Sequence, residues 1–121
     1  MKKLFISCPM KGRTEENIRN SMDRLHKIAE VFFDQELEVI PTYIEHKPPV
    51  NTKESIWYLG EAIKMMAEAD YFIGVADTYQ VFSGCDIEHE VARYYHIPHT
   101  LVDITMLPDA AAISKEYWET N

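Results

Sequence analysis

Short apolar runs alternate along the chain with longer stretches of helical spacing. Lys3 to Cys8, Glu36 to Ile40, Tyr71 to Val75 and Thr100 to Ile104 have the length and apolar content of strands. Between the first two, Ile18, Met22, Leu25, Ala29 and Phe32 recur three or four residues apart, which predicts a helix from about Glu15 to Phe33. Thr14 is its expected N-cap, and Glu15 and Glu16 fall in the first turn, where the helix dipole favours acids. A second helix, roughly Lys53 to Ala69, is expected to bury Ile56, Leu59, Ile63 and Met66, after a loop through Lys47-Pro48-Pro49-Val50. A third is expected from about Gly84 to Tyr95, with Ile87, Val91 and Tyr94 or Tyr95 facing inward and an end before Pro98. A short helix from Pro108 to about Trp118 closes the pattern.

Strands alternating with helices imply βαβ units and a parallel sheet covered on both faces. With right-handed crossovers, the expected fold is α/β, a flavodoxin/Rossmann-like three-layer sandwich with a parallel sheet of four or five strands in the order 2-1-3-4. Strands one and three are then neighbours, and ligands in such sheets bind at the carboxyl ends of the strands where the order reverses. Topology alone brings the loop Cys8 to Arg13 beside the loop Ala76 to Cys85.

At 121 residues, 46% hydrophobic and 26% charged, the chain fits one globular domain with its own core. The opening apolar run is too short for a secretory h-region and is ended by Pro9, so it reads as a strand. No stretch approaches membrane-spanning length, and the expected setting is cytoplasmic. Cys8 and Cys85 lack zinc-site spacing and are too few for a disulfide framework, which suits a reducing compartment. No metal site and no cofactor are expected. The net charge of −8 argues against polymeric nucleic acid as a partner. Residues 1–14 nevertheless hold Lys2, Lys3, Lys11 and Arg13 and no acid, a local basic spot for a small anion.

In the first loop, Ser7, Pro9, Met10, Lys11, Gly12 and Arg13 combine a hydroxyl, a glycine and two cations ahead of a helix start, parts that suit a phosphate or carboxylate. A polar turn with solvated cations would look the same. In the second, Ser83 and Gly84 open a helix, and a glycine there lets a ligand approach the backbone. Glu88 is placed in that helix's first turn, on the border of its buried face one turn before Ala92. Asp77 and Asp86 are nearby, and Glu90 points elsewhere. Carboxylates converging on one crevice can divide into a nucleophile and a proton donor, because burial and like charge push their pKa values apart. Cys85, near the same helix start, is a second candidate nucleophile if its pKa is lowered there. His89 and His96 read as surface or capping residues.

These motifs together resemble the nucleoside 2-deoxyribosyltransferase family, and more closely its small phage-encoded members. The shared pattern runs over about residues 3–104. It comprises Ser7-x-Pro9-Met10-x-Gly12 after a strand, Trp57-Tyr58-Leu59-Gly60, Ala69-Asp70 before an apolar strand, Ser83-Gly84-x-x-x-Glu88-x-x-x-Ala92, and Ile97-Pro98. The resemblance implies that Glu88 attacks the anomeric carbon of a nucleoside, the base leaves, and water or a second base completes the reaction with retention. Related nucleotide N-glycosidases hold a 5′-phosphate with the loop matching Lys11-Gly12-Arg13, which implies a nucleoside monophosphate as substrate.

Two positions depart from that family. Phe82 stands where the transferases have an aspartate that handles the leaving base, and Ala62 stands where they have another, with Glu61 adjacent. Either the proton donor comes from elsewhere, Asp77 and Asp86 being the candidates, or the activity has shifted or been lost. The alternative function is a non-catalytic nucleotide-binding module of the same fold, and a third is a thiol enzyme using Cys85. Trp57, Tyr58, Tyr117 and Trp118 give more aromatic surface than a small monomer readily buries. With the family's habit of sharing sites between subunits, they lead to the expectation of a homodimer or larger homo-oligomer. Otherwise Trp118 folds back over its own sheet.

Overall fold

The alternation Leu4-Phe5-Ile6-Ser7 sends Leu4 and Ile6 to one face of a strand and Phe5 and Ser7 to the other. A computed structural model of the chain, described for residues 1–77, 81–108 and 110, builds both faces into a core. The elements are β1 (Lys2–Ile6), α1 (Glu15–Phe32), β2 (Leu37–Val39), α2 (Glu54–Met66), β3 (Tyr71–Ala76), α3 (Ser83–Tyr94) and β4 (His99–Asp103), followed by a 3-10 turn, Ile104–Met106. All four strands are parallel in the order β2-β1-β3-β4, as the sequence predicts. Leu4 stands opposite Val39 on one side and Tyr71 on the other, and Ile6 is level with Ile73. Among the described residues no helix is long and apolar enough to cross a membrane.

On the first face, Leu4, Ile6, Ile73, Val75 and Val102 pack with Leu25 and Ala29 of α1 and with Phe82, Ile104 and Leu107. On the second, Phe5 and Phe72 stack with ring centroids 5.8 Å apart and are covered by Met66 at the end of α2 and Ala92 of α3. Thr14 caps α1 as expected, its hydroxyl accepting from the Asn17 N–H at 3.1 Å. The four predicted strands and the first three predicted helices are present, with ends shifted by up to three residues.

The helix faces differ more. Phe32 is 61% exposed; the chain leaves α1 there, and Phe33 takes its place against Tyr71, ring centroids 4.4 Å apart. In α2 only Met66 is buried, while Leu59 and Ile63 are half-buried and Ile56 is 63% exposed. The helix packs on the Phe5–Phe72 cluster through its C-terminal part, Ala62 to Met66, so its N-terminal turns overhang the core. In α3 the sheet-facing positions are Glu88 and Ala92 with Val91 alongside, and Ile87, Tyr94 and Tyr95 are exposed. The small Ala92 side chain lets the helix lie close to Phe72, which selects this face over the bulkier one. The short helix from Pro108 falls outside the described residues apart from Ala110, as do Tyr117 and Trp118.

Candidate functional site

Parallel pairing of β1 with β3 sets their carboxyl ends side by side, and Ser7 continues β1 beyond its last paired residue by donating its N–H to the Ile73 carbonyl at 2.9 Å. Its side chain follows Phe5 to the face covered by α3. There the hydroxyl donates to Glu88 Oε1 at 2.7 Å, a buried hydrogen bond between residues 81 positions apart. Glu88 is only 9% exposed. Burial pushes its carboxyl up from the ordinary 4.5 to about 6, and the Ser7 hydroxyl, which favours the ionised form, holds it from rising further. A carboxylate kept near neutrality in this way can act as a nucleophile or exchange a proton close to pH 7.

Glu88 lies in the second turn of α3, not the first, because the helix already begins at Ser83. Its ionisation is therefore governed by burial and Ser7 and owes nothing to a first-turn dipole position. Gly84 stands in the helix's opening turn, and a Cβ built there would meet nothing within 4 Å, so among the described residues the approach to the start of α3 is open. Cys85 is half-buried, and burial pushes its thiol well above its ordinary value, outweighing the Ser7 hydrogen bond that pulls it down. The lowered pKa that a thiolate nucleophile would need is absent.

Asp86, the first-turn acid, points away from Glu88. With Ile87, Glu90, Val91, Tyr94 and Tyr95 it lines a shallow hollow of about 620 Å³ on the outer side of α3. Partial desolvation raises its carboxyl, opposed by the charge of His89. Asp77 follows β3 directly and is half-buried at the carboxyl edge of the sheet, the same end as Ser7. His89 is half-buried between Phe72 and His99, its ring 4.9 Å from the latter, and burial lowers its pKa. His96 is exposed with φ 59° just past α3.

The first loop is a tight turn. The Arg13 N–H donates to the Met10 carbonyl at 3.2 Å, and Gly12 takes φ 73° at the third position, the left-handed conformation a type II turn requires there. Among the described residues, Arg13 turns back on its own loop and on α1. Its guanidinium donates to the Pro9 carbonyl at 2.6 Å, the Asn17 carbonyl at 2.9 Å, Ser21 Oγ at 2.6 Å and Cys8 Sγ at 3.3 Å, a fork that ties the loop to α1. Lys11 and Met10 are exposed at the tip. The four basic residues at the start of the chain do not form one patch. Lys2 and Lys3 are at the opposite end of β1, where Lys3 Nζ is 3.9 Å from Glu68 and the Lys3 N–H donates to Asp70 at 2.8 Å.

Ser7, Glu88, Gly84, Asp77 and the Pro9-to-Arg13 turn thus share the carboxyl edge of β1 and β3, and Asp86 stands apart. Phe82 is buried in the core and Ala62 packs against the Phe5–Phe72 cluster. Neighbouring Glu61 pairs with Lys64 at 2.7 Å. Two features were not anticipated from the sequence: the direct Ser7–Glu88 bond and Ser21 as a partner of Arg13. Ser21 had a signal, since it is one turn before Leu25 and two before Ala29 on the buried stripe, where a hydroxyl needs a polar partner. Among the described residues no cluster of three His, Cys, Asp or Glu could hold a metal ion. Comparisons with protein-family models, with curated proteins and with solved structures returned no match.

Arg13→Ala is expected to lower the unfolding free energy by about 2 kcal/mol in urea titration, because it removes a charged donor from several half-buried acceptors. Arg13→Lys should recover only a minor part, lacking the planar fork. A change within about 0.5 kcal/mol for Arg13→Ala would mean that the guanidinium does not hold the loop.

Proposed function

We propose that the chain cleaves or transfers the N-glycosidic bond of a (deoxy)nucleoside or nucleoside 5′-monophosphate, with Glu88 as the nucleophile. The observation that carries this reading is a buried carboxylate, poised by burial at about 6, at the carboxyl ends of β1 and β3 beside the open approach at Gly84. An oxygen of Glu88 forms a bond to the anomeric carbon as the carbon–nitrogen bond breaks. The electron pair leaves with the base, which takes up a proton, and water or a second base then releases the sugar and restores the carboxylate. Asp77 supplies that proton, as the remaining candidate acid at the same strand edge. Ser83 and Gly84 line the approach, and Lys11 at the tip of the Pro9-to-Arg13 turn meets the 5′-phosphate, with Arg13 keeping the turn in shape.

This reading extends the resemblance to nucleoside 2-deoxyribosyltransferases. It puts the protein in the cytoplasm, where Cys8 and Cys85 would stay reduced. One observation favours the alternative, a non-catalytic nucleotide-binding module: both positions where those transferases carry aspartates are filled by packed apolar side chains, Phe82 and Ala62.

Incubation with a panel of nucleosides and their monophosphates, read as free base by chromatography, separates the two. The enzyme reading expects base release that Glu88→Gln lowers by 10³-fold or more. Its kcat/KM should rise with pH through a midpoint near 6, since the attacking carboxylate must be ionised. Binding of monophosphates with no base released from any of them would establish the module instead.

For the quaternary state we propose a homodimer or larger assembly, through the outward sides of α2 and α3. These expose Ile56, Tyr58, Ile87, Tyr94 and Tyr95, and they carry the Glu90–Arg93 pair, both signs of charge, which a two-fold copy can match with its own. Light scattering at micromolar concentration should report at least twice the monomer mass, and Tyr95→Glu should reduce it. A wild-type monomer under those conditions would contradict the assembly.

A further inference from the structure

We propose that Ser7 is the positioning residue for Glu88, holding Oε1 so that Oε2 is the oxygen presented to a ligand. The proposal rests on the reading of Glu88 as the reactive group, and on nothing about which ligand it meets.

Two features support it. The first is rigidity. Ser7 is 2% exposed, follows the inner strand β1, and is fastened to β3 through its own N–H to the Ile73 carbonyl at 2.9 Å, so its hydroxyl is delivered from a buried, hydrogen-bonded position between two paired strands.

The second feature is the asymmetry of the carboxylate. Oε1 is taken by Ser7. Oε2 has no hydrogen-bond partner among the described residues and is not shut off from solvent. A carboxylate free to spin about its terminal torsion would present either oxygen, since that torsion is broad and two-fold. Anchoring one oxygen removes that freedom and directs the other, and orientation of this kind is a known source of rate.

Cys85 is the titratable neighbour on α3 itself, and Cys8 stands in the adjoining loop. Burial keeps the Cys85 thiol protonated across the range in which Glu88 titrates, so a change at the carboxyl can be followed alone.

Ser7→Ala removes one oxygen atom from a buried position and leaves the backbone bond to Ile73 in place. The measurement is the titration midpoint of the Glu88 side-chain carboxyl carbon by NMR in the wild type and in Ser7→Ala, with far-ultraviolet circular dichroism verifying the fold. Ser7→Thr, which keeps the hydroxyl, is the rescue variant. Loss of a charge-favouring hydrogen bond should raise the midpoint from about 6 by about one pH unit, and Ser7→Thr should return it most of the way.

Where base is released, Ser7→Ala should lower kcat about tenfold or more at a pH where Glu88 is ionised in both proteins, with KM little changed. A midpoint unmoved by Ser7→Ala in a folded protein would overturn the proposal, whether or not base is released. Absence of base release from the wild type, together with a raised midpoint in Ser7→Ala, would overturn the N-glycosidase reading and leave the positioning role supported.

Discussion

A carboxylate enclosed by a folded chain loses hydration that a single hydroxyl only partly replaces, and Glu88 is held under that constraint. Its partner, Ser7, directly follows the inner strand β1, and its helix, α3, approaches the sheet through Ala92 against Phe72. The hydrogen bond between them requires β1 next to β3, α3 on the Phe5–Phe72 face of the sheet, and a strand register that turns Ser7 to that face. Moving β1 by one residue would turn Ser7 to the α1 side and send Leu4 and Ile6 out of their cluster. The sheet order, the packing of Phe5 on Phe72 and the position of the carboxylate therefore stand or fall together.

The second constraint is the loop between β1 and α1. In an acidic chain a cation near a crevice would be expected to face a ligand, yet Arg13 turns back on Pro9, Asn17 and Ser21. Its fork satisfies acceptors that a tight turn would otherwise leave without partners, and the left-handed Gly12 makes that turn possible. Lys11 is the exposed cation at the loop tip. Loop shape and charge display are thus assigned to different side chains.

Much of this was legible because it follows from local rules. Buried parallel strands need continuous apolar runs, Thr14 has the residue type and place of a cap, and crossover handedness leaves few sheet orders. Glu88 could be found from its spacing to Gly84 and Ala92. The faces of α2 and α3 were read less well, because apolar periodicity identifies a stripe and not what covers it. Ile56, Ile87, Tyr94 and Tyr95 continue such stripes beyond the reach of the sheet. The Ser7–Glu88 bond was hidden for a different reason: it joins residues 81 positions apart, and no pattern within either segment announces the other. Arg13 was ambiguous in the sequence, because a guanidinium serves a phosphate or a set of carbonyls equally well, and the path of the turn sets it on the Pro9 and Asn17 carbonyls.

If Glu88 is retained for its chemistry, its ionised form should weaken the fold. The carboxyl titrates at about 4.5 when unfolded and about 6 when folded, so the folded chain binds more protons between those values. Stability contributed by the protonated group is present in full below about pH 4.5 and is lost as pH rises through 6. The direct test is the unfolding free energy of the wild type and of Glu88→Gln across pH 4 to 8, a comparison in which any constant effect of the substitution cancels. The stability of Glu88→Gln relative to the wild type should climb over that range by about 2 kcal/mol. A difference that stays flat, or that turns in favour of the wild type as pH rises, would show that the fold carries the Glu88 charge without strain, and would contradict the poised carboxylate on which the functional reading depends.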